Sequence, residues 1–108
     1  MEIKETSYLN VLADFSFPED QIVINPNDGF DLGMMMTESH VAIVYNESPA
    51  TIDGSTSLRI RGRVIQKNEC RLGTVELSLK AMEKMGNPRK IRLHVMTEEK
   101  PPLLMVAP

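Results

Sequence analysis

Two histidines, one cysteine and a scatter of acids and bases are the reactive chemistry of this 108-residue chain. His40 stands out in "GFDLGMMMTESHVAIVY", where it follows three methionines and opens an apolar run. An imidazole so placed can be a metal ligand, a general base, a satisfied structural residue or part of a surface that grips a partner. The metal reading is poor. His94 is the only other histidine and Cys70 the only cysteine, so neither a cysteine-cluster zinc site nor an internal disulfide can be built. Cys70 has no histidine or second cysteine beside it in sequence, which removes the usual setting of a redox or nucleophilic thiol. The acids form no local acid, base and nucleophile pattern, and there is no Gly-rich phosphate loop. An enzyme is not expected, and no cofactor or metal is called for.

The cations fall into two patterns. Arg59, Arg61 and Arg63 alternate with Leu58, Ile60 and Val64 in "SLRIRGRV", a half-buried strand whose wet face is basic. In "SLKAMEKM", Leu79 and Met82 share one helix face while Lys80, Glu83 and Lys84 share another, and Gly86 supplies the stop. Met34, Met35 and Met36 read first as thioethers that fill irregular gaps in a core.

The elements that would carry these residues follow from periodicity. "MEIKE" is a short strand, and "TSYLNVLADF" places Tyr8, Leu12 and Phe15 at i, i+4, i+7 behind a cap at Thr6 or Ser7, which predicts a helix over residues 6–16. "QIVIN" and "GFDLGM" flank Pro26 to Gly29 as a hairpin. "HVAIVYN" is a strand, "ESPATIDGSTS" a loop, and "TVELSL" leads into a second helix over residues 78–86. "KIRLHVM" and "PLLMVA" are two further strands. The order helix, strand, turn, strand occurs twice, which predicts one α+β domain over residues 1–108 with two helices on one face of an antiparallel sheet. The 42% apolar and 25% charged composition is that of a globular domain. No apolar run approaches membrane-spanning length and the N-terminus has no signal-peptide anatomy, which predicts an intracellular protein, cytoplasmic or nuclear. The net charge of −3 argues against a uniformly basic nucleic-acid binder, although one basic face is compatible with it.

"GFDLGMMMTESHVAIV", the opening strand and helix, "LGTVELSLKAMEKM" and "KIRLHV...PPLLMVAP" together resemble sliding clamps of the proliferating-cell nuclear antigen type, in the same order along the chain. The resemblance implies a single DNA-clamp (processivity-fold) domain that holds double-stranded DNA through its backbone and tethers DNA polymerase and other replication or repair proteins. It places Lys80, Lys84, Arg89 and Lys90 against DNA, with none from the first helix, which carries Asp14. It also makes Met35 or Met36, His40, Val41 and Ile43 one wall of a partner-binding pocket. A clamp would continue past Pro108 with a further strand, so the resemblance implies an open sheet edge and either a monomer or an edge-paired homo-oligomer. A ring-incompetent interaction module that binds or modulates replication proteins is the alternative. A transcription-factor-like swapped hairpin over "RGRVIQKNECRLGTVELSLKAMEKMG" is a third reading.

Overall fold

The computed structural model describes residues 3–52 and 59–108. Leu58 and the stretch "DGSTS" of the predicted loop lie outside the described residues. Eight strands and two short helices run in the order β1 (Ile3–Glu5), β2 (Leu9–Asp14), β3 (Gln21–Ile24), α1 (Pro26–Asp31), β4 (Glu38–Tyr45), β5 (Ile60–Gln66), β6 (Thr74–Ser78), α2 (Leu79–Lys84), β7 (Lys90–Met96) and β8 (Leu103–Ala107).

The strands do not form an open sheet. Following the hydrogen bonds from β2 leads through β6, β3, β5, β4, β8 and β7 and back to β2, a closed seven-stranded barrel. The pairs β2–β6, β3–β5 and β4–β8 are parallel and the others antiparallel. Alternation along each strand sends one set of side chains inward. Leu9, Ile22, Ile24, Val41, Ile43, Val64, Val75, Leu77, Ile91, Leu93, Val95, Leu104 and Val106 make the buried interior.

The chain contains two equivalent halves, in a different register from the one the sequence suggests. β2, β3, α1 and β4 correspond to β5, β6, α2 and β7. The parallel pair β2–β6 matches β5–β3, and the antiparallel pair β2–β7 matches β5–β4. β6 lies between β2 and β3, while β3 lies between β5 and β6, so each half's first connection straddles a strand of the other. This interlocking is a double-psi topology, into which β8 is added between β4 and β7. The two helices confirm the correspondence. Asn25 caps α1 by accepting from the Asn27 N–H, and Ser78 caps α2 by accepting from the Ala81 N–H. Each helix ends on a left-handed glycine, Gly33 at φ 72° and Gly86 at φ 78°.

Three sequence expectations are corrected here. Residues 6–16 are not helical: Tyr8, Leu12 and Phe15, the proposed helical stripe, are 57%, 57% and 88% exposed, while Leu9 is buried and Val11 half-buried. The period that wins is two, because β2 is paired on both sides, with β6 and with β7. The "PNDGFD" segment is α1 and not a hairpin turn, since Asn25 is a helix cap and Pro26 suits the first helical position. Last, the α+β clamp fold with two helices on one face of antiparallel sheet is overturned by barrel closure. Each helix spans only six residues and packs its buried side into the barrel core through Leu32 and Met34 after α1, and Ala81, Met82 and Met85 in and after α2. The expected open edge is gone too, because β8 is paired on both sides. The helix at 78–86, the described part of the loop after β4 and the strands β1, β3, β4, β5, β7 and β8 stand where the sequence put them.

A second apolar cluster sits outside the barrel wall. Ala42 and Val44 of β4 and Leu103 and Met105 of β8 face outward yet are buried, packed with Met96 and with Ile52 of the loop that follows β4. The described part of that loop, to Ile52, therefore lies against the outer face of β4, β8 and β7.

Candidate functional site

The edge of this covering loop forms a cleft of about 400 Å³ against the barrel wall, lined by Tyr8, Asn46, Glu47, Ser48, Thr51, Arg92, His94 and Ala107 together with Pro108. Its floor comes from β7. Ile91, Leu93 and Val95 point into the barrel, so Arg92 and His94 point outward. Register sets His94 between Met105 of β8 and Glu5 of β1, and Arg92 beside Ala107.

One wall is built by an irregularity. β1 and β2 both run antiparallel to the same side of β7, but three residues, Thr6 to Tyr8, oppose the two residues Arg92 and Leu93. This is a β-bulge. Thr6 anchors it: its N–H donates to the Leu93 carbonyl at 3.0 Å and its Oγ1 accepts from the Leu93 N–H at 3.2 Å. The displaced backbone leaves the Thr6 carbonyl to accept from Arg92 Nε at 2.7 Å and brings the Tyr8 ring under the Arg92 guanidinium, 5.5 Å from centroid to Cζ. Arg92 also forms an ion pair with Glu5. Its head is thus held on three sides.

The other wall is a turn hooked onto the end of β8. Asn46 takes a left-handed φ of 63°, and the N–H groups of Asn46 and Glu47 donate to the Val106 carbonyl at 2.7 and 3.3 Å. The turn is closed by Thr51, whose Oγ1 accepts from the Ser48 N–H at 2.9 Å and donates to Glu47 Oε2 at 2.7 Å.

His94 is the chemical oddity of the cleft. Its side chain is only 9% exposed, yet Nδ1 has no hydrogen-bond partner among the described residues. Nε2 lies 3.9 Å from Glu5 Oε1, too far for a hydrogen bond. Burial lowers the imidazole pKa; Glu5 opposes the shift and Arg92 adds to it. The ring is therefore neutral at pH 7, one nitrogen a donor and the other an acceptor, and Nδ1 is unused among the described residues.

The residues singled out by sequence are elsewhere. Val41 and Ile43 are 1% and 0% exposed inside the barrel, so they cannot wall a surface pocket. Met35 and Met36 are exposed and His40 is exposed on the outer face of β4, opposite Arg63. The five do not converge, because the strand's alternation points His40 away from Val41 and Ile43. Of the three methionines expected in the core, only Met34 is there. Lys80, Arg89 and Lys90 are exposed on and after α2, whereas Lys84 pairs with Glu19 and lies 5.8 Å from the Tyr45 ring centroid. Arg59, Arg61 and Arg63 form the exposed basic row the sequence suggests, partly offset by Glu38, 2.8 Å from Arg63, and Glu99, 3.9 Å from Arg59. Cys70 is buried and its thiol pKa is pushed up to about 12 by burial and by Glu76 and Asp28. Among the described residues no three His, Cys, Asp or Glu side chains gather as a metal site, and no helix is long and apolar enough to cross a membrane.

Sequence reasoning passed over the cleft residues. The alternation in "KIRLHVM" does carry a signal for Arg92 and His94, which stand on the face opposite Ile91, Leu93 and Val95. Nothing local pairs them with Tyr8 or with the turn at Glu47. No family model, no curated protein and no solved structure matches the chain.

Proposed function

We propose that the protein is a binding module without catalytic activity of its own, and that a small polar ligand occupies the cleft between the turn at residues 46–51 and the β1–β7 wall. The observation that carries this reading is His94, an imidazole nine-tenths buried at the cleft, whose Nδ1 has no hydrogen-bond partner among the described residues and whose Nε2 stands 3.9 Å from Glu5 Oε1. Leaving Nδ1 unpaired costs roughly 1–3 kcal/mol, and a ligand whose arrival turns that nitrogen toward the cleft recovers it. The volume suits a small molecule. Arg92 is a pre-ordered guanidinium, and the hydroxyls of Ser48 and Thr51 add directional contacts. Among the described residues no cleft hydroxyl is hydrogen-bonded to His94, and the one that donates to Glu47, Thr51 Oγ1, also accepts from the Ser48 N–H as part of the turn. An intracellular site fits a chain whose one cysteine is buried as a free thiol.

Clamp action on double-stranded DNA, with polymerases as partners, finds no support in this architecture. The sheet edge it implied is paired, and of its pocket wall Val41 and Ile43 lie inside the barrel while Met35, Met36 and His40 are exposed. The binding reading is tested by recording amide and histidine side-chain NMR spectra during titration with acetate, inorganic phosphate, a primary alkylammonium salt and a neutral polyol. Saturable shifts confined to Tyr8, Glu47 to Thr51 and His94 support it, and the same shifts should vanish in His94→Phe. Spectra unmoved by every probe would remove it.

A further inference from the structure

We infer that the ligand of this cleft carries an ammonium group, which the Glu47 carboxylate receives. The inference rests on the binding reading above and concerns which charge the site selects. One acidic side chain, Glu47, and one permanent cation, Arg92, line the cleft, and Glu5 stands beside Arg92. Arg92 is already compensated, since Glu5 pairs with its guanidinium, the Thr6 carbonyl accepts from Nε and the Tyr8 ring covers one face. Its affinity for a further anion is correspondingly reduced. Glu47 stands differently. Its contacts within the described residues are the Thr51 hydroxyl on Oε2 and its own N–H to the Val106 carbonyl, and no described cation is paired with it. The site therefore holds one uncompensated negative charge.

The remaining groups suit the same ligand. A neutral imidazole accepts from an N–H at one nitrogen, and an ammonium group has three N–H donors to share among Glu47, the Ser48 and Thr51 hydroxyl oxygens and His94. Tyr8, 57% exposed, offers ring surface to the ligand's carbon skeleton beyond the part that Arg92 covers. Glu47 is also held in place without being used up. The Thr51 hydroxyl fixes Oε2, and the turn is tied to β8 through the Val106 carbonyl, so Oε1 is presented on a rigid support.

The test is a calorimetric and NMR titration of the whole chain with n-butylammonium chloride, sodium acetate and sodium phosphate at constant ionic strength, on the native protein and on Glu47→Gln. Glutamine keeps an oxygen to accept from Thr51, so the turn survives, and an unchanged amide spectrum outside residues 46–52 verifies that. The expected result is saturable binding of the ammonium salt, shifts at Glu47, Ser48, Thr51, Tyr8 and His94, and affinity at least tenfold weaker in Glu47→Gln. Saturable binding of acetate or phosphate in the cleft with none of the ammonium salt would overturn the charge assignment while leaving the cleft a binding site. Ammonium binding equal in Glu47→Gln would overturn it as well. Failure of all three probes to bind would overturn the assignment, and the binding reading falls with it only when the neutral polyol fails as well.

Discussion

At the scale of single residues, His94 and Cys70 show how one variable, burial, silences two groups that are reactive in water. For His94 burial lowers the pKa below the unfolded value of 6.5. The unfolded chain then binds the proton more readily than the folded one, so stability is intact above about pH 6.5 and falls as pH drops below it. Urea midpoints measured from pH 8 to pH 5 should decline in the native protein, and part of that decline between pH 6.5 and 5 should be absent in His94→Gln. Equal slopes for the two proteins would show that His94 is not the group responsible. Cys70 is the opposite case of an acid whose charged form is disfavoured. Its thiol, raised to about 12, lies against the carbonyls of Val23 and Thr74 at 3.8 and 3.4 Å. Iodoacetamide at pH 8 should leave Cys70 unmodified in the folded protein and label it at the rate of unfolding in denaturant. Rapid labelling under native conditions would contradict this placement.

At the scale of elements, the points of closest approach decide which changes the barrel tolerates. Gly62 of β5 passes so near the turn before β3 that a Cβ there would stand 2.4 Å from the Asp20 carbonyl oxygen, which already accepts from the Arg63 N–H at 2.9 Å. Backbone cannot yield as a side-chain tip can. Gly62→Ala should therefore cost more than about 2 kcal/mol, against about 1 kcal/mol for removing the α2 cap with Ser78→Ala, as measured by denaturant unfolding. A smaller loss at Gly62 than at Ser78 would refute that ranking. These elements also mark where sequence is readable. β4, β5, β7 and β8 announce themselves because each combines β-branched residues with alternation or a short apolar run, and α2 because its cap, stripe and glycine agree. β2 misleads, since exposed Tyr8, Leu12 and Phe15 happen to fall at helical spacing while the inward pair Leu9 and Val11 is short. α1 misleads in the other direction: Pro, Asn, Asp and Gly are turn residues by type, and only the equivalence of Asn25 to Gly33 with Ser78 to Gly86 identifies a helix. For the cleft, the outward placement of Arg92 and His94 is legible from β7 alone. The bulge that delivers Tyr8 and the turn that delivers Glu47 depend on contacts across more than forty residues of chain, for which no local pattern stands.

At the scale of the whole molecule, closure is the property that organises the rest. The interior is continuous around the ring, so a void made in it touches several strands at once. Leu104, fully buried in β8 and paired through its backbone to Ile43 and Val95, should lose about 2–5 kcal/mol on substitution by alanine. Since domains have only about 5–15 kcal/mol in reserve, thermal unfolding of Leu104→Ala should begin many degrees below that of the native chain. A drop of only a degree or two would mean that the wall repacks around the missing side chain. Nearly every strand pair joins segments distant in sequence, β2 with β6 and β7, β3 with β5, β4 with β8. Folding should accordingly take milliseconds to seconds, as stopped-flow refolding would measure. The position of β8 has a consequence for how the molecule is made. The strand inserted between β4 and β7 is the last of the eight to leave the ribosome, and until it docks those two neighbours each carry a bare edge and Ala42, Val44 and Met96 lack the cover of Leu103 and Met105. A chain whose β8 has not yet docked would thus be a sticky half-open cylinder, and the docking of that one strand converts it into a sealed one.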